Sequence, residues 1–315
     1  MVEVSVVVVN YNGLRFQDIL YQCLDSVQSA LSELNSEIIF VDNNSQDASV
    51  EFVKAHFPSV TIVQNGENLG FAGGNNVGYA LATGDYVLLI NNDAIVDEDW
   101  ARELVRALKD DPALTEVGSI GPGIPRGTMS VMGGNFEGRH IEEPFYISGC
   151  SLAVRKRHVE TLFDEDYFCY HEDVWLSWLL RLQGRRIKRV SASRVFHHGS
   201  QTVKSMNLHS AMRFYNERNR LLNILTFYSA STLLRFIPLL MVTMLANVNL
   251  RSYWWLFRHV RTVLKKRRTI QRERRVNDDE LTKFMSSKIS NHNDLLNKVS
   301  QSYLKLVGIR TVETT

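Results

Sequence analysis

The chain has 315 residues, 44% of them hydrophobic, and a net charge of only +2, which suits one sizeable catalytic domain with an appendage better than two equal domains. Three cysteines, Cys23, Cys150 and Cys169, are too few and too scattered for a disulfide framework or a thiolate metal site, so a reducing, cytoplasmic compartment is expected. The first residues, MVEVSVVVVNYNG, place an acid where an export signal would be basic, and the expectation is a chain that starts with its first strand.

Residues 4–9 form an apolar run rich in β-branched side chains that stops at Asn10, Tyr11, Asn12 and Gly13, all turn formers, and reads as strand one. Phe16, Ile19, Leu20, Cys23, Leu24 and Val27 then recur at helical spacing. A second strand over 37–41 again ends in polar groups, Asp42, Asn43, Asn44 and Ser45, after which Asp47 can cap a helix running through Val53. Residues 60–63 make a third strand. This βαβα alternation predicts right-handed crossovers and a mainly parallel sheet flanked by helices. The run NLGFAGGNNVG over 68–78 is a glycine-rich turn entering a helix. Its glycines, at 70, 73, 74 and 78, do not fit the G-x-G-x-x-G fingerprint, and they serve either a ligand or close packing of helix on sheet.

The stretch 84–100, GDYVLLINNDAIVDEDW, organises the rest. Residues 86–90 show no polar alternation and should be buried on both faces, as a central parallel strand is. They end in Asn91, Asn92 and Asp93, at the strand edge where open parallel sheets bind ligands. A plain turn before a helix capped by Asp97 would use the same residue types. A helix over 100–109 and a fifth strand over 117–124 follow, then short strands and a mobile loop over 127–146. His171, Glu172 and Asp173 lead into a helix over 174–182 closed by Gly184. Acids in a first turn stabilise a helix by about 0.3–1 kcal/mol and by themselves require no catalytic role. After a short strand over 187–190, His197 and His198 precede a Gly-Ser turn and are candidate ligands.

Taken together, VVVVNYNG, VDNNSQDAS, NLGFAGGNNVGY, LLINNDAIV, SGCSLAVRK, FDEDYFCYHEDVWL, VFHHGS and FYNERNRL occur in the order found in the family 2 inverting glycosyltransferases. The chain resembles that family over residues 4–223, within it the rhamnosyltransferase-like branch. The resemblance implies an α/β GT-A fold, Rossmann-like, and transfer of one sugar from a UDP- or dTDP-sugar to a hydroxyl of a glycan or polyprenyl-linked acceptor in cell-surface glycan assembly. It implies Asp42 on the nucleobase, Asn10, Asn12, Asn44, Asn68, Gly70 and Asn75 about the donor, and Asn91, Asn92 and Asp93 in place of the DxD motif. It further implies magnesium or manganese on Asp93 and His197, Asp173 as the base and Glu172 orienting the acceptor or its loop. Asn91 stands for the first acid of DxD, leaving Asp93 as the motif's one carboxylate. Trp175 stands where the branch often has a second acid after Glu-Asp-Val. Such chemistry needs a cation against the negative charge of the leaving diphosphate and an opposed carboxylate to take the acceptor's proton. A catalytically silent membrane scaffold of the same fold and a sugar nucleotidyltransferase are the alternatives; the presence of both Asp93 and Asp173 speaks against the scaffold.

The remaining chain divides into a helical, membrane-associated segment over 206–275 and a polar helical tail over 276–315, after a catalytic domain over 1–205. Residues 229–257 are the most apolar part, interrupted by Arg235, Pro238 and Arg251, and too broken to favour a full crossing. Nine Lys/Arg against one Glu over 258–275 then leave the rest of the chain net acidic. Tyr253, Trp254 and Trp255 just before that basic run read as an interfacial helix on the cytoplasmic face of an anionic membrane. Packing as a helical hairpin, or in a homodimer, is the other use for such a segment. No nucleic acid is expected as a partner.

Overall fold

The computed structural model describes residues 2–136, 141–199, 201–206, 209–246, 248–290 and 293–313. The first half alternates β1 (Val4–Asn10), α1 (Gln17–Ala30), β2 (Ser36–Asp42), α2 (Ser49–His56), β3 (Thr61–Gln64), α3 (Gly70–Leu81) and β4 (Tyr86–Asn91). Then come β5 (Ala94–Val96), α4 (Trp100–Asp110), β6 (Leu114–Ile120), the short pair β7 (Thr128–Met129) and β8 (Asn135–Phe136), and β9 (Ser151–Arg155). After α5 (Glu172–Leu182) and β10 (Arg186–His197), the rest is helical: α6 (Gln201–Ser205), α7 (His209–Phe227), α8 (Ala230–Ala246), α9 (Leu250–Arg258), α10 (Val260–Arg272), α11 (Asp278–Thr282) and α12 (Asp294–Leu306).

The main sheet runs β3-β2-β1-β4-β9-β6-β10-β5. As expected, β1, β2, β3 and β4 are parallel, and β6 and β10 are parallel to each other. Two strands depart: β5, antiparallel on the outer edge of β10, and β9, which lies antiparallel between β4 and β6. Among the described residues no helix lies between β6 and β9, and β9 enters from the carboxyl edge that β6 reaches and runs back. The expected short strand over 187–190 is the first part of the long β10, whose register on β6 shifts between Arg189 and Arg194. The expected mobile loop is in part the β7–β8 hairpin, and 137–140 within it lie outside the described residues. Asp47 Oδ1 does accept the N–H of Ser49 where α2 begins, at 3.1 Å.

The two faces of β1 explain its unbroken valines. Val4, Val6 and Val8 enter a core with Leu20, Leu24 and Trp100 from α1 and α4. Val7 enters a second core with α3, α5 and the helical half. Trp100 is fully buried and donates Nε1 to Ser151 Oγ at 2.8 Å. Ser119 Oγ lies 2.8 Å from both Ser151 Oγ and Ser193 Oγ, and Ser193 Oγ closes the ring on Trp100 O at 3.0 Å, so the hydroxyls of three adjacent strands satisfy one another inside the core.

The second core runs without a break from Val7 to Ile309. Trp178 of α5 stacks on Phe227 at 4.9 Å and meets Tyr228 edge-on at 4.9 Å, while Tyr228 in turn meets Phe236 of α8. The segments 206–275 and 276–315 are therefore divisions of the chain but share the catalytic half's core. No described helix is long and apolar enough to cross a membrane.

Close packing explains two of the glycines in α3. A Cβ on Gly78 would lie 2.3 Å from Val7 Cγ1, and one on Gly74 would lie 2.8 Å from Val9 Cγ1. Gly78→Ala should therefore cost about 1–3 kcal/mol of stability by overpacking. Val7→Ala, which removes the opposing methyls, should cost less in that background than in the wild type. Denaturant midpoints of the two single variants and the double variant check this; additive losses would mean that the approach is not the constraint.

Candidate active site

The apolar strands β1, β2 and β4 all stop at the same edge, because their register sets Asn10 beside Asp42 and Val9 beside Asn91. Antiparallel pairing of β5 on β10 brings His197 opposite Ala94, next to Asp93. A cavity of about 310 Å³ opens there. Of the residues predicted for the site, Asn10, Asn68, Gly70, Asn91, Asn92, Asp93, Glu172, Asp173 and His197 line it.

Asn12, Asp42, Asn44 and Asn75 do not line the cavity. Asp42 is buried behind Asn10: Oδ1 accepts from Asn10 Nδ2 at 3.0 Å and from Ser45 Oγ at 2.5 Å, and Oδ2 accepts from Ser45 N at 2.9 Å. Asn92 Nδ2 donates to Asn10 Oδ1 at 2.9 Å, which extends this chain across three strand ends. Asn12, in left-handed backbone, accepts the Gln46 N–H at 2.7 Å and so ties the turn after β1 to the turn after β2. Asn44 is an exposed left-handed residue of that second turn, and Asn75 is turned back onto Phe71 O at 2.8 Å.

At one side of the cavity His197 Nε2 lies 3.1 Å from Asp93 Oδ1, and Asp93 Oδ2 accepts the Gln201 N–H at 3.0 Å. Burial opposes ionisation of Asp93, but the bond and charge of His197, with the Gln201 N–H, outweigh it and hold the carboxyl below its usual range. His197 Nδ1 lies 3.4 Å from the carbonyl of Gly123, a contact that orients the ring with Nε2 beside Asp93. His198 turns away, its ring edge-on to Phe196 at 4.7 Å.

Among the described residues no cluster of three or more His, Cys, Asp and Glu could hold a metal by itself. Beside Asp93 and His197, however, Asn91 Oδ1 is buried without a partner, and Asn91 Nδ2 is 3.3 Å from His197 Nε2. Two oxygens and an imidazole nitrogen, with phosphate oxygens completing the shell, fit magnesium or manganese.

At the other side, Glu172 and Asp173 open α5. Asp173 Oδ2 accepts the Gly149 N–H at 3.0 Å and Oδ1 accepts the Val174 N–H at 2.7 Å, whereas Glu172 Oε2 is buried with no partner. Burial raises both carboxyls; Asp173 raises Glu172 further, while the N–H donors offset the rise at Asp173. Both are raised, Glu172 the more strongly, so of the two Asp173 gives up its proton more readily.

The turn before them is strained: Phe168, Tyr170 and His171 have φ of 60°, 66° and 67°, where side chains other than glycine rarely sit. Helix α7 holds it. Asn219 Nδ2 donates to the carbonyls of Tyr167, Cys169 and Tyr170 at 2.9, 2.9 and 2.7 Å, Arg218 Nη2 donates to those of Asp166 and Tyr167, and Asn223 Nδ2 donates to that of His171 at 3.2 Å. His171 is buried, which drives it down to about 4 and keeps it neutral, with Nε2 2.8 Å from Asn216 Oδ1.

Sequence reasoning did not single out Asn43, Gly149, Phe168, Tyr170, Gln201 or Met212, all of which line the cavity. Asn43, Gly149 and Tyr170 stand inside quoted motifs and Gln201 directly follows one; Met212 had no signal of its own.

Residues 5–156 match the family model described as Glycosyl transferase family 2. The chain is 31% identical over 117 residues to the glucosyl-dolichyl phosphate glucuronosyltransferase of Haloferax volcanii, covering 37% of each chain. It is 28% identical over 203 residues to the poly-beta-1,6-N-acetyl-D-glucosamine synthase of Staphylococcus aureus, covering 56% of this chain and 47% of that one. It thus spans less than half the length of these curated relatives. The mannosyltransferase PcManGT of Pyrobaculum calidifontis, solved with GDP-Man and Mn2+, superposes with a TM-score of 0.55 at 17% identity over 86% of this chain and 84% of its own. Residues 1–349 of S. aureus TarS, solved with UDP, give 0.53 at 16% identity over 96% and 87%. The fold is of the GT-A type.

Glu116 of β6 supports the cavity from behind. It is fully buried, accepts Ser177 Oγ at 2.7 Å, and Ser177 Oγ accepts the N–H of Ile147, two residues before Gly149. Burial lifts its carboxyl to about 8 from an ordinary value of 4.5, with Asp173 adding to the rise. A group with a raised folded pKa contributes its full stability below the unfolded value and loses it as pH rises through the folded one. Wild-type stability should therefore fall relative to Glu116→Gln as pH rises from 4.5 to about 8. Denaturant midpoints of the two proteins at pH 5 and 8 measure this, and a constant gap would remove the buried-acid assignment.

Proposed function

We propose that this chain transfers one sugar, with inversion, from a nucleoside-diphosphate sugar to a hydroxyl of a glycan or lipid-linked acceptor. One observation carries the reading: a single cavity has the Asp93–His197 pair on one wall and the adjacent carboxyls of Glu172 and Asp173 on another. In the finer form of the reading, the donor is a UDP- or dTDP-sugar and the enzyme is a hexosyl or deoxyhexosyl transferase of the rhamnosyltransferase-like kind. The ordered motifs from NYNG to FYNERNRL support that form. A cytoplasmic site of action belongs to the same reading and is supported by three free cysteines.

The acceptor oxygen attacks the anomeric carbon as its proton passes to Asp173, and the bond from that carbon to the diphosphate oxygen breaks on the opposite side, its electron pair leaving with the nucleoside diphosphate. A divalent cation bound by Asp93, His197 and Asn91 Oδ1 would supply charge stabilisation for the diphosphate. Of Asn10, Asn43 and Asn68, the first two are bonded within the protein, Asn10 to Asp42 and Asn92 and Asn43 to Gly70 and Asn65, and Asn68 Nδ2 is the amide offered to the donor. Phe168, Tyr170 and Phe71 give the cavity apolar walls suited to the faces of sugar rings.

Release of nucleoside diphosphate from candidate nucleotide sugars tests the class, whereas a nucleotidyltransferase would make pyrophosphate and a silent scaffold neither. Asp173→Asn should bind nucleoside diphosphate normally yet lose transfer by at least about a hundredfold, the scale of a positioned base. If Glu172→Gln is instead the dead variant and Asp173→Asn remains active, the two roles are exchanged.

Asp93→Asn should abolish the manganese-dependent part of nucleoside diphosphate binding, read by calorimetric titration with and without the ion, and abolish transfer. Retained, chelator-sensitive activity in that variant would remove Asp93 from the cation site.

A further inference from the structure

We propose that the outer faces of α8, α9 and α10 form a docking surface for an anionic lipid bilayer. Helix α8 buries Phe236, Leu239 and Thr243, while Leu234, Ile237, Met241 and Leu245 are 70%, 46%, 59% and 74% exposed. Spacings of three and four keep those four on one side of the helix, and none of its exposed described residues is charged. The apolar row continues through Val248 of the connecting turn into Leu250, Trp254 and Phe257 of α9, the last two rings stacked at 5.8 Å. Single exposed apolar residues are ordinary; a continuous row over two helices marks a contact surface.

The neighbouring helix specifies the occupant. The basic run seen in the sequence divides by helical phase into two groups. Lys266 pairs with Asp164 and Asp166 at 2.5 and 2.8 Å, Arg267 donates to the carbonyls of Leu225 and Tyr228 at 2.6 Å, and Arg274 pairs with Asp278 at 2.9 Å. Arg258, Arg261, Lys265, Arg268 and Arg272 instead point outward at spacings of three and four, and none pairs with an acid among the described residues. No acid occurs within α10. An uncharged, Trp-bearing face beside an unneutralised basic row complements acyl chains and anionic headgroups. A second copy of the chain is a poorer match, since in a two-fold contact this surface meets a copy of itself, and α8, α9 and α10 contain no acid to offer the basic row.

The surface adjoins the acceptor side of the cavity. Asn249 Nδ2 donates to Arg213 O and Ser252 Oγ to Phe214 O, next to Met212 of the cavity wall, and Lys266 holds the two acids that open the strained turn. A bilayer docked here would lie beside the wall that receives a lipid-linked acceptor.

The test sediments the full chain with vesicles of phosphatidylcholine alone or mixed with phosphatidylglycerol. Binding should be at least about tenfold tighter to the mixed vesicles and weaken as salt rises. Neutralising Arg261, Lys265 and Arg268 together to Gln should lower affinity for the mixed vesicles on the order of a hundredfold. Trp254→Ser with Phe257→Ser should remove the binding that persists in high salt. Both variants should keep wild-type circular dichroism and turnover of a soluble acceptor, so vesicle binding and catalysis stand or fall separately. No sedimentation with either vesicle, or binding that neither variant alters, overturns the proposal. So does a dimer, seen by light scattering, that the Trp254 and Phe257 substitutions dissociate in a protein that ignores vesicles.

Discussion

The amide of Asn219 is the contact on which most of this structure depends. Three successive non-glycine residues of left-handed or otherwise positive φ cannot hold their shape from local preference; each costs on the order of 1–3 kcal/mol and needs an outside constraint. Phe168, Tyr170 and His171 come close to that condition within four residues, and Asn219 answers it by donating to three carbonyls of the turn. Gly70 completes the clamp from the sheet side, since a Cβ there would lie 2.4 Å from Phe168 O. The turn is thus caught between α3 and α7, and α5 begins where Asp173 faces the cavity.

The site sorts its carboxylates by what surrounds each one. Asp93 is buried yet ionised because it meets His197 and a backbone N–H. At Asp173 two backbone N–H groups offset part of the rise that burial imposes, and at its neighbour Glu172 Oε2 is buried without a partner. Two adjacent buried acids with such unequal donors are raised unequally, Glu172 more than Asp173. Glu116 is a fourth buried acid, its carboxyl lifted to about 8 by burial and by the nearby Asp173.

Much of this is legible in the amino-acid sequence. Apolar strands that stop abruptly at Asn10, Asp42 and Asn91 mark the carboxyl edge of the sheet, where the chain leaves the core and polar turn formers begin. The parallel half follows from the βαβα order. What stays hidden depends on contacts distant in sequence. The reversal of β9 depends on where the 121–150 segment crosses, not on the composition of Ser151–Arg155. Asp42, Asn12 and Asn44 sit at the correct strand ends, but their side chains or positions serve the turns, and only register and hydrogen bonding distinguish a residue that shapes an edge from one that lines it.

Charge counting meets the same limit over 258–275. A sum cannot separate arginines that satisfy a helix end from those that face outward, whereas a helical period can. Positions 266, 267, 271 and 274 turn inward, where Arg267, Gln271 and Arg274 donate to the last carbonyls of α7. Those carbonyls have no partner within their own helix and carry the negative end of its dipole, so cations there are stabilising apart from any membrane. The intervening positions 258, 261, 265, 268 and 272 have no such duty. Because the inward set fixes the rotation of α10 on α7, it also fixes the direction of the outward set, and because α7 holds the turn before Asp173, the cavity and the basic row are oriented by one helix.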